Sequence, residues 1–310
     1  MVGVESQRAA DVLREIYQPV IDQRIICPIH SECPPRKPPR FLVTDTSSSE
    51  LIKHASNSFL AMKISFINMA SDLCEVAGAD ISKVAEGIGL DPRIGSSFLQ
   101  PGIGFGGFCF LKDLQAFVRI AEKFGCDFTL LKEVERINQN RVDLFVEKIK
   151  EELSVLREKK ICVWGLAFKP NTDDIRFAPA LSIIRRLQAE GALIQAYDPE
   201  AMEKTKKEIP EVAYCQDVYE AAKGAEAVVL LTEWKEFQEV DWKRLSTVVG
   251  RLLIIDGRNT LSHQDISSNG FHYVGIGGVS ATPQVAQSPV VGDRADGQVP
   301  TGSVFRPRRA

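Results

Sequence analysis

The residues best equipped for chemistry crowd into one stretch, Phe98-Leu-Gln-Pro-Gly-Ile-Gly-Phe-Gly-Gly-Phe-Cys-Phe-Leu-Lys-Asp113. Its four glycines, Gly102, Gly104, Gly106 and Gly107, let the backbone approach a ligand closely and present amide hydrogens to it. Cys109 follows at once, with Lys112 and Asp113 close behind. A free thiol titrates at about pH 8.5, and a cation or a helix N-terminus lowers that value, so Cys109 has the setting of a reactive thiolate. A buried structural cysteine between Phe108 and Phe110 satisfies the same text, and spacing does not decide between the two.

Two further groups carry polar chemistry. Lys53 and Asn57 are four residues apart on a predicted helix, which puts an ammonium and a carboxamide on one face. Such donors stabilise a developing oxyanion by about 3 kcal/mol each, although a solvent-facing pair has the same spacing. The segment Gly165-Leu-Ala-Phe-Lys-Pro-Asn-Thr-Asp-Asp-Ile-Arg176 is not Gly-x-Gly-x-x-Gly, yet Lys169 and Arg176 sit where a strand hands over to a helix, a place where open sheets hold phosphates. Asp198, after the next strand, is either an acceptor for a ribose hydroxyl or a turn-former. Cys27, His30 and Cys33 have metal-like spacing, but no second ligand cluster follows and prolines crowd the segment, so an irregular loop without metal is expected.

Elements must position these residues. Val2 to Val4 reads as the end of a strand and Ser6 to Tyr17 as an amphipathic helix with Ala10, Val12, Leu13 and Ile16 inward. The opening strand has nothing before it to pair with, so it reads as the remnant of a sheet. Ser47 and Glu50 form a capping box for a helix of about 45 Å running to Gly78. Its apolar residues, among them Leu51, Phe59, Phe66, Leu73 and Val76, surround much of the cylinder, which predicts burial on several sides, as in a domain connector or dimer interface. Shorter helices follow from Asp80, from Lys112 and from Phe128. From Lys160 onward, strands near 160–164, 192–197, 212–215, 227–231, 252–256 and 273–276 alternate with helices, the pattern of a parallel, doubly wound sheet.

The composition is that of an ordinary folded chain: 310 residues, 44% hydrophobic and 25% charged. The longest apolar run, Ala227 to Leu231, is far below the roughly 18 residues of a membrane span. A net charge of −3 provides no basic field for nucleic acid, so any phosphate site must be local. Seven cysteines at irregular spacing make no disulfide framework, and no signal pattern opens the chain, so reduced thiols and a cytoplasmic location are expected.

Together the motifs resemble the UDP-glucose/GDP-mannose dehydrogenase family, particularly its UDP-glucose branch. The matching text is Glu50 to Ala61 and Lys63 to Asn68, Asp91-Pro-Arg-Ile-Gly95, the glycine loop with Cys109, and Gly165 to Arg176. The resemblance implies an enzyme that oxidises C6 of a nucleotide sugar twice with NAD, taking UDP-glucose to UDP-glucuronate. It implies Cys109 as nucleophile, Lys53 and Asn57 as oxyanion donors and Asp113 as the group that orients water. Lys53, Phe98, Leu99, Gln100, Pro101, Gly102, Gly106, Lys169 and Arg258 would contact substrate, Arg93 would reach it across a dimer interface, and Lys112 and Arg176 would lie on the NAD side.

The expected architecture is α/β. Residues 1–46 would be the remnant of an NAD-binding Rossmann domain with an irregular loop, and 47–154 a central helical dimerisation domain carrying the cysteine loop. Residues 155–280 would be a UDP-sugar-binding Rossmann-like domain and 281–310 a disordered tail. The family's opening Gly-x-Gly-Tyr-Val-Gly is absent, and Phe108, Leu111 and Phe177 stand where the family has serine, proline and glutamate. Rival readings are a non-catalytic sugar-nucleotide-binding or dimerising subunit, a GDP-mannose-type dehydrogenase, and a thiol acyl-transfer enzyme using Cys109 alone. A homodimer or higher homo-oligomer is expected, with neither nucleic acid nor membrane as partner.

Overall fold

The computed structural model describes residues 1–24 and 37–282, so Cys27, His30 and Cys33 and the expected tail beyond residue 282 lie outside the described residues. The chain divides into two compact units, Met1–Phe59 and Leu60–Ala310.

In the first unit, β1 (Val2–Gly3) pairs in parallel with β2 (Val43–Thr44), and α1 (Gln7–Ile21) lies between them in sequence. The Ser6 hydroxyl caps α1 by accepting from the Ala9 amide at 3.3 Å. Of the residues expected inward, only Ala10 is buried; Val12 and Ile16 are exposed, because the helix has little packed against that side in this unit. The long helix α2 (Thr46–Ala77) starts in this unit. Its cap is Asp45, whose carboxylate accepts from the Ser48 amide at 2.8 Å, and not the Ser47–Glu50 box. Ser48's hydrogen bonds hold the Asp45 carboxyl below its ordinary range. An acceptor one turn from the helix start satisfies an amide that has no carbonyl partner.

The second unit begins within α2 and continues through α3 (Ile81–Gly89), α4 (Phe108–Lys123) and α5 (Thr129–Leu153), a wholly helical stretch. Ala61 of α2 packs with Leu114 and Val118 of α4 and Val134 of α5. Phe66, Leu73 and Val76 on α2 remain more than half exposed, so within this chain the helix is not covered on all sides.

The rest of the unit is the predicted doubly wound domain. In chain order its elements are β3 (Lys160–Trp164), α6 (Pro179–Ala189), β4 (Leu193–Tyr197), α7 (Met202–Glu208), β5 (Ala213–Tyr214), α8 (Val218–Ala222) and β6 (Ala227–Leu230). Then come α9 (Lys235–Gln238), α10 (Trp242–Ser246), β7 (Leu253–Asp256), α11 (His263–Ser268), β8 (His272–Val274) and β9 (Ser280–Ala281). The sheet order is β5-β4-β3-β6-β7-β8-β9, parallel except for the short β9, which sequence pattern did not signal. Both faces are covered. Ile161 and Val163 of β3 face a core with α5 and α6, whereas Cys162 and Trp164 face one with α8, α10 and α11. Burial on both sides explains why β3, β6 and β7 read as unbroken apolar runs instead of alternating ones. The chain leaves β3 toward β4 on one side and returns to β6 on the other, so a topological switch point lies between β3 and β6.

Candidate functional site

The loops after β3, β6 and β7 emerge at the carboxyl edge of the sheet, beside the switch point, and meet the glycine loop there. Together they line a cavity of about 580 Å3. Phe98, Gln100, Pro101, Gly102, Gly106 and Cys109 line it from one side, and Lys169, Arg176, Glu233, Arg258 and Thr260 from the sheet side.

Buried polar side chains that local pattern could not reveal hold the glycine loop in shape. Asn68 accepts from the Gly102 amide at 2.7 Å, and Asn138 accepts from Phe105 N at 2.8 Å while donating to its carbonyl at 3.0 Å. The buried Arg141 donates to the Gly102 carbonyl at 3.3 Å and pairs with Asp72. Gly107 caps α4 at φ +79°, where an added Cβ would lie 2.7 Å from the Phe168 ring. The glycines thus serve close packing as well as ligand approach. The spacing Gly102-x-Gly104-x-x-Gly107 matches a dinucleotide fingerprint, but no strand precedes it, so the βαβ context that gives that fingerprint meaning is missing.

Cys109 is exposed and stands in the first turn of α4, earlier in a helix than the expected start at Lys112. The packed-cysteine alternative therefore fails. Two cations border Cys109. Arg176 and Lys112 lie over the Phe108 ring at 5.2 and 5.8 Å, and Phe108 stacks on Phe177 with centroids 6.4 Å apart. The pKa of Lys112 is raised chiefly by its hydrogen bond to Asp113, and that of Arg176 by Asp174; the Cys109 sulfur adds to both shifts. Asp113 is buried and takes the Lys112 ammonium at 2.6 Å. Lys112 lines a neighbouring cavity of about 490 Å3 with Arg119 and Phe177.

Other expected contacts divide. Phe98, at φ +65°, is exposed to the cavity, while Leu99 beside it is buried in the core with Ile67, because successive side chains leave the loop on opposite sides. Arg93 is exposed and held by Asp91 at 2.6 Å, away from the cavity lining. Lys53 and Asn57 lie on α2 in the first unit, Lys53 exposed and Asn57 buried. Asp198 is wholly buried and accepts from five donors, so it is a structural turn residue and not a ribose acceptor. Among the described residues, no group of three or more metal-ligating side chains comes together.

A doubly wound α/β domain with a cavity at its switch point is the class of fold that takes ligands at the carboxyl ends of its strands. Two family models match the chain: the central domain of the UDP-glucose/GDP-mannose dehydrogenase family over residues 47–140 and its UDP binding domain over 162–263. The chain belongs to the UDP-glucose/GDP-mannose dehydrogenase family. It is 41% identical to UDP-glucose 6-dehydrogenase TuaD of Bacillus subtilis over 278 residues, covering 89% of this chain and 57% of that protein. The Rhizobium meliloti UDP-glucose 6-dehydrogenase is also 41% identical, over 281 residues, with 89% and 61% covered. Among solved structures, a UDP-glucose dehydrogenase from Pyrobaculum islandicum matches with a TM-score of 0.71 and 35% identity, over 83% of this chain and 54% of that one. The chain thus spans about three fifths of the length of the curated relatives it matches.

Proposed function

We propose that this chain carries the sugar-nucleotide site of an enzyme that oxidises UDP-glucose at C6, in two NAD-dependent steps, to UDP-glucuronate. The observation that carries the reading is an exposed thiol in the first turn of α4, lining one cavity with Lys169, Arg176 and Arg258. The relatives, UDP-glucose 6-dehydrogenases, supply the substrate class. Lys169 and Arg258 suit a diphosphate, and glycine backbone lets the nucleotide sugar lie close.

In this mechanism the Cys109 thiolate adds to the C6 aldehyde carbon, and the carbonyl oxygen becomes an alkoxide held by Lys53 and Asn57. The thiohemiacetal is oxidised to a thioester, and water, oriented by the Asp113 that Lys112 holds in place, hydrolyses it and restores the thiol. Phe98, Gln100, Pro101, Gly102, Gly106, Lys169 and Arg258 bind the substrate together with the Leu99 backbone, and Arg93 contributes from a second copy of the chain. Lys112 and Arg176, two cations on the face of Phe108, fit the phosphate or carboxamide groups of NAD, which when bound supplies the hydride acceptor for both oxidations. The exposed Phe66, Leu73 and Val76 of α2 suit a homodimer contact, and the free thiols suit a reducing, cytoplasmic setting.

The test incubates the chain with UDP-glucose and NAD and quantifies UDP-glucuronate. Cys109→Ser should lower acid formation by about 10^3-fold or more. Undiminished acid from that variant refutes the nucleophile. Calorimetric binding of UDP-glucose by the unsubstituted chain without turnover supports the non-catalytic sugar-nucleotide-binding subunit instead, and preference for GDP-mannose supports the GDP-mannose-type dehydrogenase.

A further inference from the structure

The neighbouring cavity of about 490 Å3 is built differently from the one that Cys109 lines. One wall is a stripe of α4: Phe108, Lys112, Gln115 and Arg119 follow one another at steps of four, three and four residues, so their side chains leave the helix on one face. Phe177, from the loop after β3, joins them. The Phe108 and Phe177 rings stack at an interplanar angle of 24°, yet Phe108 is 41% and Phe177 57% exposed, so neither ring is spent on the core. Phe177 also stands at φ +51°, a left-handed backbone position that a bulky side chain rarely takes. The backbone holds this shelf ready-made. The Gly107 amide donates to the Arg176 carbonyl at 3.0 Å, and the bare Gly106 lets the Phe177 carbonyl come where a Cβ would collide with it.

The charge at this cavity has one sign: Lys112 and Arg119 line it, and no carboxylate is among its lining residues. The buried Asp113 holds the Lys112 ammonium, whereas the exposed Arg119 makes no ion pair among the described residues. Of the described residues Phe108 alone lines both cavities, and Cys109 lines only the first. The chemistry of the set selects the ligand. An inorganic anion would engage the cations and leave two half-exposed rings bare, and an uncharged aromatic would leave the cations idle. A planar ring that carries a phosphate uses both parts. We infer that this cavity is a nucleotide site separate from the sugar-nucleotide one, with Phe177 as the platform for a planar ring and Arg119 as a partner for phosphate. The NAD of the proposed function is one such ligand, and the inference rests on that reading for the cofactor's identity alone. Each half of NAD offers a planar ring and a phosphate.

The test is calorimetric titration of the 310-residue chain and its Phe177→Leu and Arg119→Gln variants with AMP and with nicotinamide mononucleotide, first alone and then with UDP-glucose at saturation. Both substitutions alter exposed side chains, and thermal melting checks that the variants stay folded. AMP or nicotinamide mononucleotide should bind, and bind equally well beside UDP-glucose, the choice between them showing which half of the dinucleotide the shelf takes. Phe177→Leu should weaken that binding about fivefold or more, and Arg119→Gln about two- to fivefold, the Arg119 effect shrinking as salt rises. UDP-glucose affinity should be the same in all three proteins. Unchanged mononucleotide binding in Phe177→Leu overturns the inference. So does the failure of both mononucleotides to bind, or their displacement by UDP-glucose, which would put them in the first cavity. Failure of the unsubstituted chain to bind UDP-glucose overturns the sugar-nucleotide reading instead, and the inference stands if mononucleotide binding still falls in Phe177→Leu.

Discussion

Replacing Asp198 by alanine should test whether this carboxylate serves a ligand or the fold. Its Oδ2 accepts from Leu166 N at 2.7 Å, Ala167 N at 3.2 Å and Trp234 Nε1 at 3.1 Å, tying together the loops after β3 and β6. Its Oδ1 accepts from Glu200 N at 2.9 Å and Ala201 N at 2.8 Å in the turn after β4. Leu166, Ala167 and Ala201 are almost wholly buried, so their amides cannot turn to water, whereas Glu200 is exposed. At roughly 1–3 kcal/mol for each stranded donor, less what the loops recover by relaxing, Asp198→Ala should cost about 4–6 kcal/mol. That is a large share of the roughly 5–15 kcal/mol typical of a folded domain. Asp198→Asn keeps one oxygen for the three donors and turns its NH2 toward the other two, so it should cost about half as much. Urea unfolding followed by tryptophan fluorescence reads both values from the shift in midpoint. A loss under about 1 kcal/mol for Asp198→Ala, with ligand binding impaired instead, would refute this account of how the switch-point loops are held.

Alkylation followed by peptide mapping should separate the thiols. Burial pushes the Cys74, Cys162 and Cys215 thiols up, and each should react at least about a hundredfold more slowly than the exposed pair Cys109 and Cys126, since reaction requires local opening. Cys109, at the helix N-terminus, should outpace Cys126 by about two- to fivefold, and modification of Cys162 at the Cys109 rate would contradict the burial. In acid, Asp174 gives a second readout: the Arg176 guanidinium holds its carboxyl below the ordinary value through contacts of 3.0 and 2.7 Å. A depressed folded-state pKa contributes stability above the ordinary aspartate range and loses it as pH falls through the folded value. Melting temperatures taken from about pH 5 to pH 3 should therefore fall less steeply in Asp174→Asn than in the unsubstituted chain, by under about 1 kcal/mol because the pair is partly exposed; identical slopes would exclude the linkage.

Short-range physics was legible in the residues alone. Strands β3, β6 and β7 are apolar runs because both their faces are covered, and their alternation with helices requires a parallel, doubly wound sheet. The glycine loop, Cys109 and the cations after β3 announced themselves because each depends on neighbours within a few positions. What escaped depends on partners far away in the chain. Asn68 reaches Gly102, and Arg258 reaches Gly104, across separations of 34 and 154 positions, which no periodicity records. Asp198 has the local look of a turn or ribose residue, and only the convergence of three loops reveals five donors upon it. Residue order alone thus determined the elements and their layering, because propensity and periodicity act over a turn or two, whereas the exposure of Cys109 came only from the fold. The tertiary structure decided which polar atoms are satisfied and which face the cavity, because hydrogen bonding in a buried place depends on every chain segment that reaches it.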